Sequence, residues 1–239
     1  MTEIRVALVT GATSGIGRAA ALKLAGDGFK VLVHGRDAGR GAAVVKEIES
    51  AGGSAEFLAA DLADVAAIKR LAAAAGEIDV LVNNAGFSWF GPTADLEPDT
   101  FDALFDANVR SAYFLTAAIA PQMADRGRGI IINLGSMAGQ IGLAGGAAYS
   151  ATKAALAALT RSWAAEYSPA GVRVNTITPG PAYTGGSPRE RLTALGKTTL
   201  LSRTAEAEEI GDVIAFLASP AASYITGAVI PVDGGRTAV

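Results

Sequence analysis

Short apolar runs alternate with stretches of helical composition along this chain, and most of the runs stop at Gly, Asn, Ser or Asp. The runs are Ile4–Thr10, Lys30–His34, Ala55–Ala60, Asp79–Val82, Ile130–Leu134, Val172–Ile177 and Ala228–Val232. Between them lie Arg18–Gly28, Ala38–Ala51, Ala66–Ala75, a long helical run from Pro98 through Ala124, a helix from about Ala148 to Tyr167, and Ala205–Ala218. Strands that alternate with helices predict βαβ units, and so an α/β fold built on a parallel sheet covered on both faces. Half of the residues are apolar and 18% are charged, which suits buried parallel strands and a sizeable subunit interface. No internal repeat or linker divides the 239 residues, so one domain over 1–239 is expected.

Composition removes whole classes of chemistry. The net charge is −3 without a Lys/Arg cluster, so nucleic acid and acidic membranes are not expected partners. There is no cysteine, which excludes disulfides, thiolate catalysis and Cys-ligated metals and fits a reducing compartment. His34 is the sole histidine, so a multi-His metal site is excluded and no metal is expected. It reads as a strand-end residue without chemistry. The N-terminus enters an apolar run directly, with no basic segment ahead of a long apolar core, so no signal peptide is read. No apolar run reaches the ~18–20 residues of a membrane span, and the expected location is the cytoplasm.

The chemistry concentrates between Ser136 and Lys153. Ser136 sits just beyond the apolar run Ile130–Leu134, a Gly-rich loop follows, and Tyr149 and Lys153 lie four residues apart in a helical pattern. That spacing places phenol and ammonium on one helix face, a turn apart. A Lys cation beside a Tyr hydroxyl lowers the phenol pKa from its ordinary ~10, and a Tyr so tuned serves as a general acid/base. The three residues are therefore a candidate acid/base site for carbonyl/alcohol redox chemistry. Taken singly, each has a plain alternative: a strand-end hydroxyl, a capping aromatic and a solvated Lys.

Such a site needs a hydride carrier. Gly11, Gly15 and Gly17 follow the first apolar run with the spacing G-x-x-x-G-x-G and open a helix. Glycines there let backbone approach a pyrophosphate whose charge sits at the helix N-terminus, although a ligand-free βα turn would look the same. At the end of the second run, an acidic residue suits the ribose of NAD and an Arg suits the 2′-phosphate of NADP. Arg36 comes first and Asp37 follows, which favours NADP(H) and leaves NAD(H) possible; the alternative is a solvated Arg36 and a helix-capping Asp37. Asp61 ends the third strand, where it could meet the adenine. Asn83-Asn84-Ala85-Gly86 ends the fourth, either as an ordinary turn or as a close passage for cofactor. Asn108 lies within the long helical run, either as a polar link near the Lys or as an interface residue. Pro181–Arg203 mixes Gly, Pro, Thr and charge around a short helix at Pro188–Leu195 and reads as a substrate lid at about 181–204.

These motifs carry a family likeness. Thr10–Gly17 (T-G-A-T-S-G-I-G), Asn83–Gly86 (N-N-A-G), Asn108, Ser136, Tyr149–Lys153 (Y-S-A-T-K) and Pro179-Gly180 resemble, in order and spacing, the short-chain dehydrogenase/reductase family. Within it the chain looks most like 3-oxoacyl-acyl-carrier-protein reductases. The resemblance implies a doubly wound Rossmann-type three-layer sandwich, its seven mainly parallel strands in the order 3-2-1-4-5-6-7. It implies that Tyr149 protonates a carbonyl oxygen as hydride arrives, that Ser136 bonds the same oxygen, that Lys153 lowers the Tyr149 pKa and bonds the nicotinamide ribose, and that Asn108 holds a water in a relay to Lys153. It also implies a cofactor held by Gly11, Ser14, Gly15, Ile16 and Gly17, then by Arg36, Asp61 and Leu62. Asn84, Ala85 and Gly86 follow, with Tyr149 and Lys153, and finally Pro179, Gly180, Ala182 and Thr184.

The implied activity is hydride transfer between NADP(H) and a small-molecule ketone or aldehyde and its alcohol, with 3-oxoacyl compounds among the candidates, in a homotetramer or dimer. Phe87, Trp89, Phe90, the loop Met137–Leu143 and the segment from Tyr183 would select an apolar or ring-bearing substrate. Two departures stand out: Ser14 occupies a place where NADP-preferring members carry a basic residue, and Ala170 one where a carrier-protein reductase would carry another. Competing readings are an NAD-dependent alcohol or sugar dehydrogenase, a non-catalytic dinucleotide sensor, and an epimerase or dehydratase using the same Tyr.

Overall fold

The computed structural model describes residues 4–239; Met1–Glu3, at the start of the N-terminal segment and of the expected domain, lie outside the described residues. Its centre is a parallel sheet of β1 (Val6–Val9), β2 (Lys30–Gly35), β3 (Ser54–Ala59), β4 (Val80–Asn83), β5 (Gly129–Leu134), β6 (Val172–Pro179) and, last in the chain, Val229–Val232. A separate two-stranded pair joins β7 (Ala182–Tyr183) to β8 (Ala205–Glu206), which makes Val229–Val232 β9. The seven-stranded sheet runs β3-β2-β1-β4-β5-β6-β9, the expected order.

Strand pleat divides the apolar residues between two cores. Ala7, Val9, Val31, Val33, Val80 and Val82 face α1 (Gly15–Gly26), α2 (Ala38–Ser50) and α8 (Ala207–Ala218). Their neighbours Leu8, Leu32, Leu81 and Ile131 face α3 (Val65–Ala75), α5 (Ser111–Asp125) and α6 (Ala147–Tyr167). Both faces are covered, so the central strands read as unbroken apolar runs. Each fully buried Leu, Ile or Val contributes about 1.5–3 kcal/mol of transfer free energy. Two further helices, α4 (Pro98–Phe105) and α7 (Arg189–Gly196), lie outside these layers.

Three expectations are corrected by packing. Ile4 is exposed and β1 begins only at Val6, whose N–H meets the Asp79 carboxylate at 2.9 Å. Ala205 and Glu206 pair with Ala182 and Tyr183 instead of opening a helix, and Glu206 then caps α8 in a reciprocal box with Glu209. The run from Pro98 is not one regular helix: a π-turn at Asp106–Arg110 separates α4 from α5. The extra residue of a π-turn rotates the side chains around it, and here it carries Asn108 into the interior.

A chain of buried polar side chains crosses the second core. The Asn83 amide donates to Asn133 Oδ1 at 2.9 Å and to Thr116 at 3.1 Å. The Asn133 amide donates to Thr160 at 2.8 Å, and Thr160 meets Thr176 at 2.6 Å. Strands β4, β5 and β6 are thereby tied to α5 and α6. Replacing Asn133 with Leu keeps the branched shape but leaves the Asn83 amide and the Thr160 hydroxyl short of partners. A loss of about 2–4 kcal/mol is expected, read as a lower urea midpoint at unchanged slope. A wild-type midpoint would show that the chain of bonds adds nothing to stability.

Candidate active site

In a parallel doubly wound sheet the carboxyl ends of all strands meet at one edge, with a crevice where the order reverses. Here that reversal falls between β1, with β2 on its one side, and β4 on its other. The turn after β1 carries Gly11 at φ 64° and Gly15 at φ 52°, conformations that favour glycine. A Cβ on Gly17 would overlap the Asn84 amide and the Gly11 carbonyl, and one on Gly15 would come within 2.9 Å of Thr184 Cβ. Ser14 makes no side-chain cap on α1, whereas Asp37 and Asp64 cap α2 and α3. The result is a glycine cradle at a helix N-terminus left open to an anion, which fits the pyrophosphate of a dinucleotide.

Other expected cofactor residues surround this cradle in different ways. Arg36 is exposed beyond β2 and, among the described residues, has no ion pair or hydrogen bond. Asp37 is committed elsewhere: its carboxylate accepts Arg40 N–H at 2.9 Å and pairs with the Arg40 side chain at 3.3 Å. Asp61 accepts Ala63 N–H at 3.1 Å, and Leu62 is buried in the second core. The Asn84 side chain turns inward, donating to Thr10 O at 2.8 Å and Gly11 O at 3.2 Å, so it braces the turn. Gly180 packs against Asp233, where a Cβ would come within 2.7 Å of backbone, and Ala182 is buried. Thr184 is brought over Gly15.

The acid/base candidates converge on the same edge. Ser136 leaves β5 in extended conformation; its oxygen accepts Ala138 N–H at 3.2 Å and its hydroxyl engages the Tyr149 phenol. Lys153 is buried a turn after Tyr149, and its ammonium donates to Leu134 O, at the end of β5, at 2.7 Å while lying 5.7 Å from the Tyr149 ring centre. Gly139 permits this approach, since a Cβ there would come within 2.9 Å of the α6 backbone at Lys153 and Ala154. Phe90 packs against Tyr149 with ring centres 5.5 Å apart and planes tilted by 60°, and the Arg191 guanidinium from α7 lies 5.3 Å over Phe90.

Asn108 is locked as well. Its carbonyl accepts Phe87 N–H at 2.9 Å, and its amide donates to Phe87 O at 2.9 Å and Thr152 Oγ1 at 3.1 Å. Gly86 has no Cβ to collide with that carbonyl. Asn108 thus joins the loop after β4 to α6 one residue before Lys153.

Electrostatics reverse one expectation. Burial pushes the Tyr149 phenol above its ordinary value, with Ser136 pulling the other way, and burial brings Lys153 down to about 8. The ammonium is directed at the Leu134 carbonyl, so in the protein alone desolvation outweighs any phenolate stabilisation by Lys153. The sign for stability follows: the Lys153 contribution is fully present above its unfolded value of 10.5 and lost as pH falls through about 8.

Two residues carry more than their sequence positions suggested. Thr10 Oγ1 accepts the N–H groups of Asn84 and Ala85 at 2.9 and 3.0 Å and donates to Val82 O at 3.2 Å. His34, near the end of β2 as expected, meets both Gly11 N and Ala60 O. Thr10 carried one sequence signal, its place at the head of the glycine motif, whereas His34 lies 23 positions from Gly11 and carried none.

A doubly wound parallel sheet with a glycine cradle at its switch point, beside a Ser, a Tyr and a Lys, defines a dinucleotide-dependent oxidoreductase. A family model for short chain dehydrogenases matches residues 5–193. The chain is 38% identical to a 3beta-hydroxysteroid dehydrogenase of Mediterraneibacter gnavus, covering 98% of this chain and 95% of the relative. It is 36% identical to a 3-oxoacyl-acyl-carrier-protein reductase of Staphylococcus aureus, covering 98% and 99%. It superposes with TM-score 0.91 on a blue fluorescent protein from a metagenomic library in complex with NADPH, at 36% identity and 97% coverage of each chain. The chain belongs to the short-chain dehydrogenase/reductase family and is an NAD(P)-dependent oxidoreductase.

Proposed function

We propose that this protein reduces a ketone or aldehyde reversibly with NADP(H), Tyr149 acting as the general acid. The observation that carries the reading is the convergence of Ser136, Tyr149 and Lys153 at the sheet edge that also holds the glycine cradle. The nicotinamide, when bound, supplies hydride to the carbonyl carbon. Tyr149 gives its proton to the carbonyl oxygen, so the product is the alcohol; oxidation is the reverse. A phenol held protonated by burial is the right donor for reduction. Ser136 donates to the same oxygen as charge develops on it. Lys153 and Asn108 hold the polar path behind Tyr149, through Leu134 O, Thr152 and the Phe87 backbone.

The 2′-phosphate of NADP is assigned to Arg36, which is free, while the Asp37 carboxylate that would suit an NAD ribose is spent on capping α2. The segment 181–204 serves as a lid, anchored by the Arg203–Glu209 pair at 2.7 Å. Phe87, Trp89, Phe90 and Tyr183 give the entrance an apolar, aromatic wall suited to a ring-bearing substrate. A carrier protein gains no support from Arg126 and Arg128. They bind Ile78 O at 2.6 Å and the Asp79 carboxylate at 3.4 Å, at the opposite edge of the sheet. An apolar groove of about 410 Å³ between α5 and α6, lined by Tyr113, Phe114, Ala155 and Ala158, is assigned to a second copy of the chain.

Three measurements test these assignments. Tyr149→Phe should lower kcat by about 10²–10⁴-fold while NADPH binds within a few-fold of wild type; turnover above a few per cent would refute the mechanism. Arg36→Ala should cut kcat/KM for NADPH about tenfold or more and leave NADH nearly unchanged; an equal effect on both would remove Arg36 from the phosphate site. Phe114→Asp should reduce the mass seen by light scattering, and an unaltered assembly, or a monomeric wild type, would free that face of the role.

A further inference from the structure

His34 ends β2 almost fully buried, and three strand ends meet around it. Its Nδ1 lies 3.3 Å from Gly11 N, at the first glycine of the cradle. Its Nε2 lies 3.2 Å from Ala60 O, in the loop that leads from β3 to Asp61. Gly11 N–H can only donate and Ala60 O can only accept. One species satisfies both: the neutral ring with its proton on Nε2 and a lone pair on Nδ1. The backbone reinforces the seam, with Ala12 N on His34 O at 2.9 Å and Ala60 N on Gly35 O at 3.3 Å.

We infer that His34 is a positioning residue for the cofactor, its neutral imidazole holding the glycine turn and the Ala60-Asp61 loop at the spacing a dinucleotide requires. The inference rests on the reading of that turn as the cofactor's seat. Protonation would set an N–H against the Gly11 N–H, and the turn would lose its tie to β3. The groups facing the ring agree on balance. Burial is the largest influence and, with Arg36, holds the ring below its ordinary value, while the Ala60 carbonyl and Asp61 pull the other way. The β1 turn offers only Thr and Ser side chains. Charges at the start of β2 and on the flanking helices are paired with one another: Lys30 with Glu56, Arg18 with Glu47, and Asp37 with Arg40. The lowered value means that the neutral form is complete above the unfolded histidine value, and that the tie is lost as pH falls through the folded one.

His34 is the only histidine, so one imidazole reports on it without assignment. Nitrogen-15 NMR of the cofactor-free protein at pH 7.5 should give a neutral ring protonated on Nε2, and NADP+ should lower its pKa. A ring protonated on Nδ1, or a pKa that NADP+ raises or leaves unmoved, overturns the inference. Calorimetry of NADP+ from pH 7.5 to 5 should show wild type losing about tenfold more affinity than His34→Gln, because titration of the cofactor's own phosphate is common to both. At pH 7.5 the variant should raise KM for the cofactor and leave kcat at saturation unchanged. Parallel binding curves, or a fall in kcat alone, would mean that the residue only fills space. If wild type binds no dinucleotide at pH 7.5, the reading of the turn fails and this inference falls with it.

Discussion

The hydroxyl of Thr10 holds the site together at its weakest topological point. Neighbouring strands diverge where the sheet order reverses, and the loops that follow β1 and β4 are left with unpaired backbone on either side of the crevice. Thr10 takes up two of those N–H groups and returns one bond to Val82 O, while the Asn84 amide reaches back across to Thr10 O and Gly11 O. The absence of a Cβ on Gly17 is what lets Asn84 sit there. The glycine cradle and the N-N-A-G turn are therefore one unit. Through Gly86 and Phe87 that unit extends to Asn108, and through Thr152 to α6.

Most of the scaffold was legible because its elements are governed by local pattern. Buried strands show as apolar runs and α1, α2, α3 and α6 as helical composition, and their observed ends fall within a few residues of the expected ones. The polar strand ends were equally readable, since Gly, Asn and Ser interrupt the apolar pattern there. Asn108 shows where this kind of reading stops. Its surroundings are helical by composition, and nothing local distinguishes an α-turn from a π-turn. The extra residue is selected by bonds to Phe87, 21 positions away, and Thr152, 44 away. His34 failed to stand out for the same reason, as its partners lie on two other strands' loops.

The Tyr149–Lys153 pair shows a different limit. Sequence spacing places two groups on one face, but it says nothing of solvent. With Lys153 buried and directed at Leu134 O, desolvation dominates both side chains and moves their proton affinities apart: the phenol rises and the ammonium falls. Residue types and spacing identify such a pair, whereas its resting protonation depends on burial that only the folded chain creates.

What keeps that pair in register is the polar chain under α6. Tyr149, Thr152, Lys153 and Thr160 recur at helical spacing on the face turned to the sheet, and Thr160, about two turns beyond Lys153, is held by Asn133 and Thr176. An apolar contact at Thr160 would tolerate a slight rotation of the helix, because apolar contacts are not directional. Hydrogen bonds at 2.8 and 2.6 Å to two different strands do not. Near the other end of the helix, the Lys153 bond to Leu134 O and the Thr152 bond from Asn108 fix the same rotation. The long helix is thus pinned at two heights by directional bonds, and this leaves the Tyr149 hydroxyl facing Ser136 at the edge where the cofactor cradle opens. In this chain a buried polar network supplies the orientation that an all-apolar interface between α6 and the sheet would leave loose.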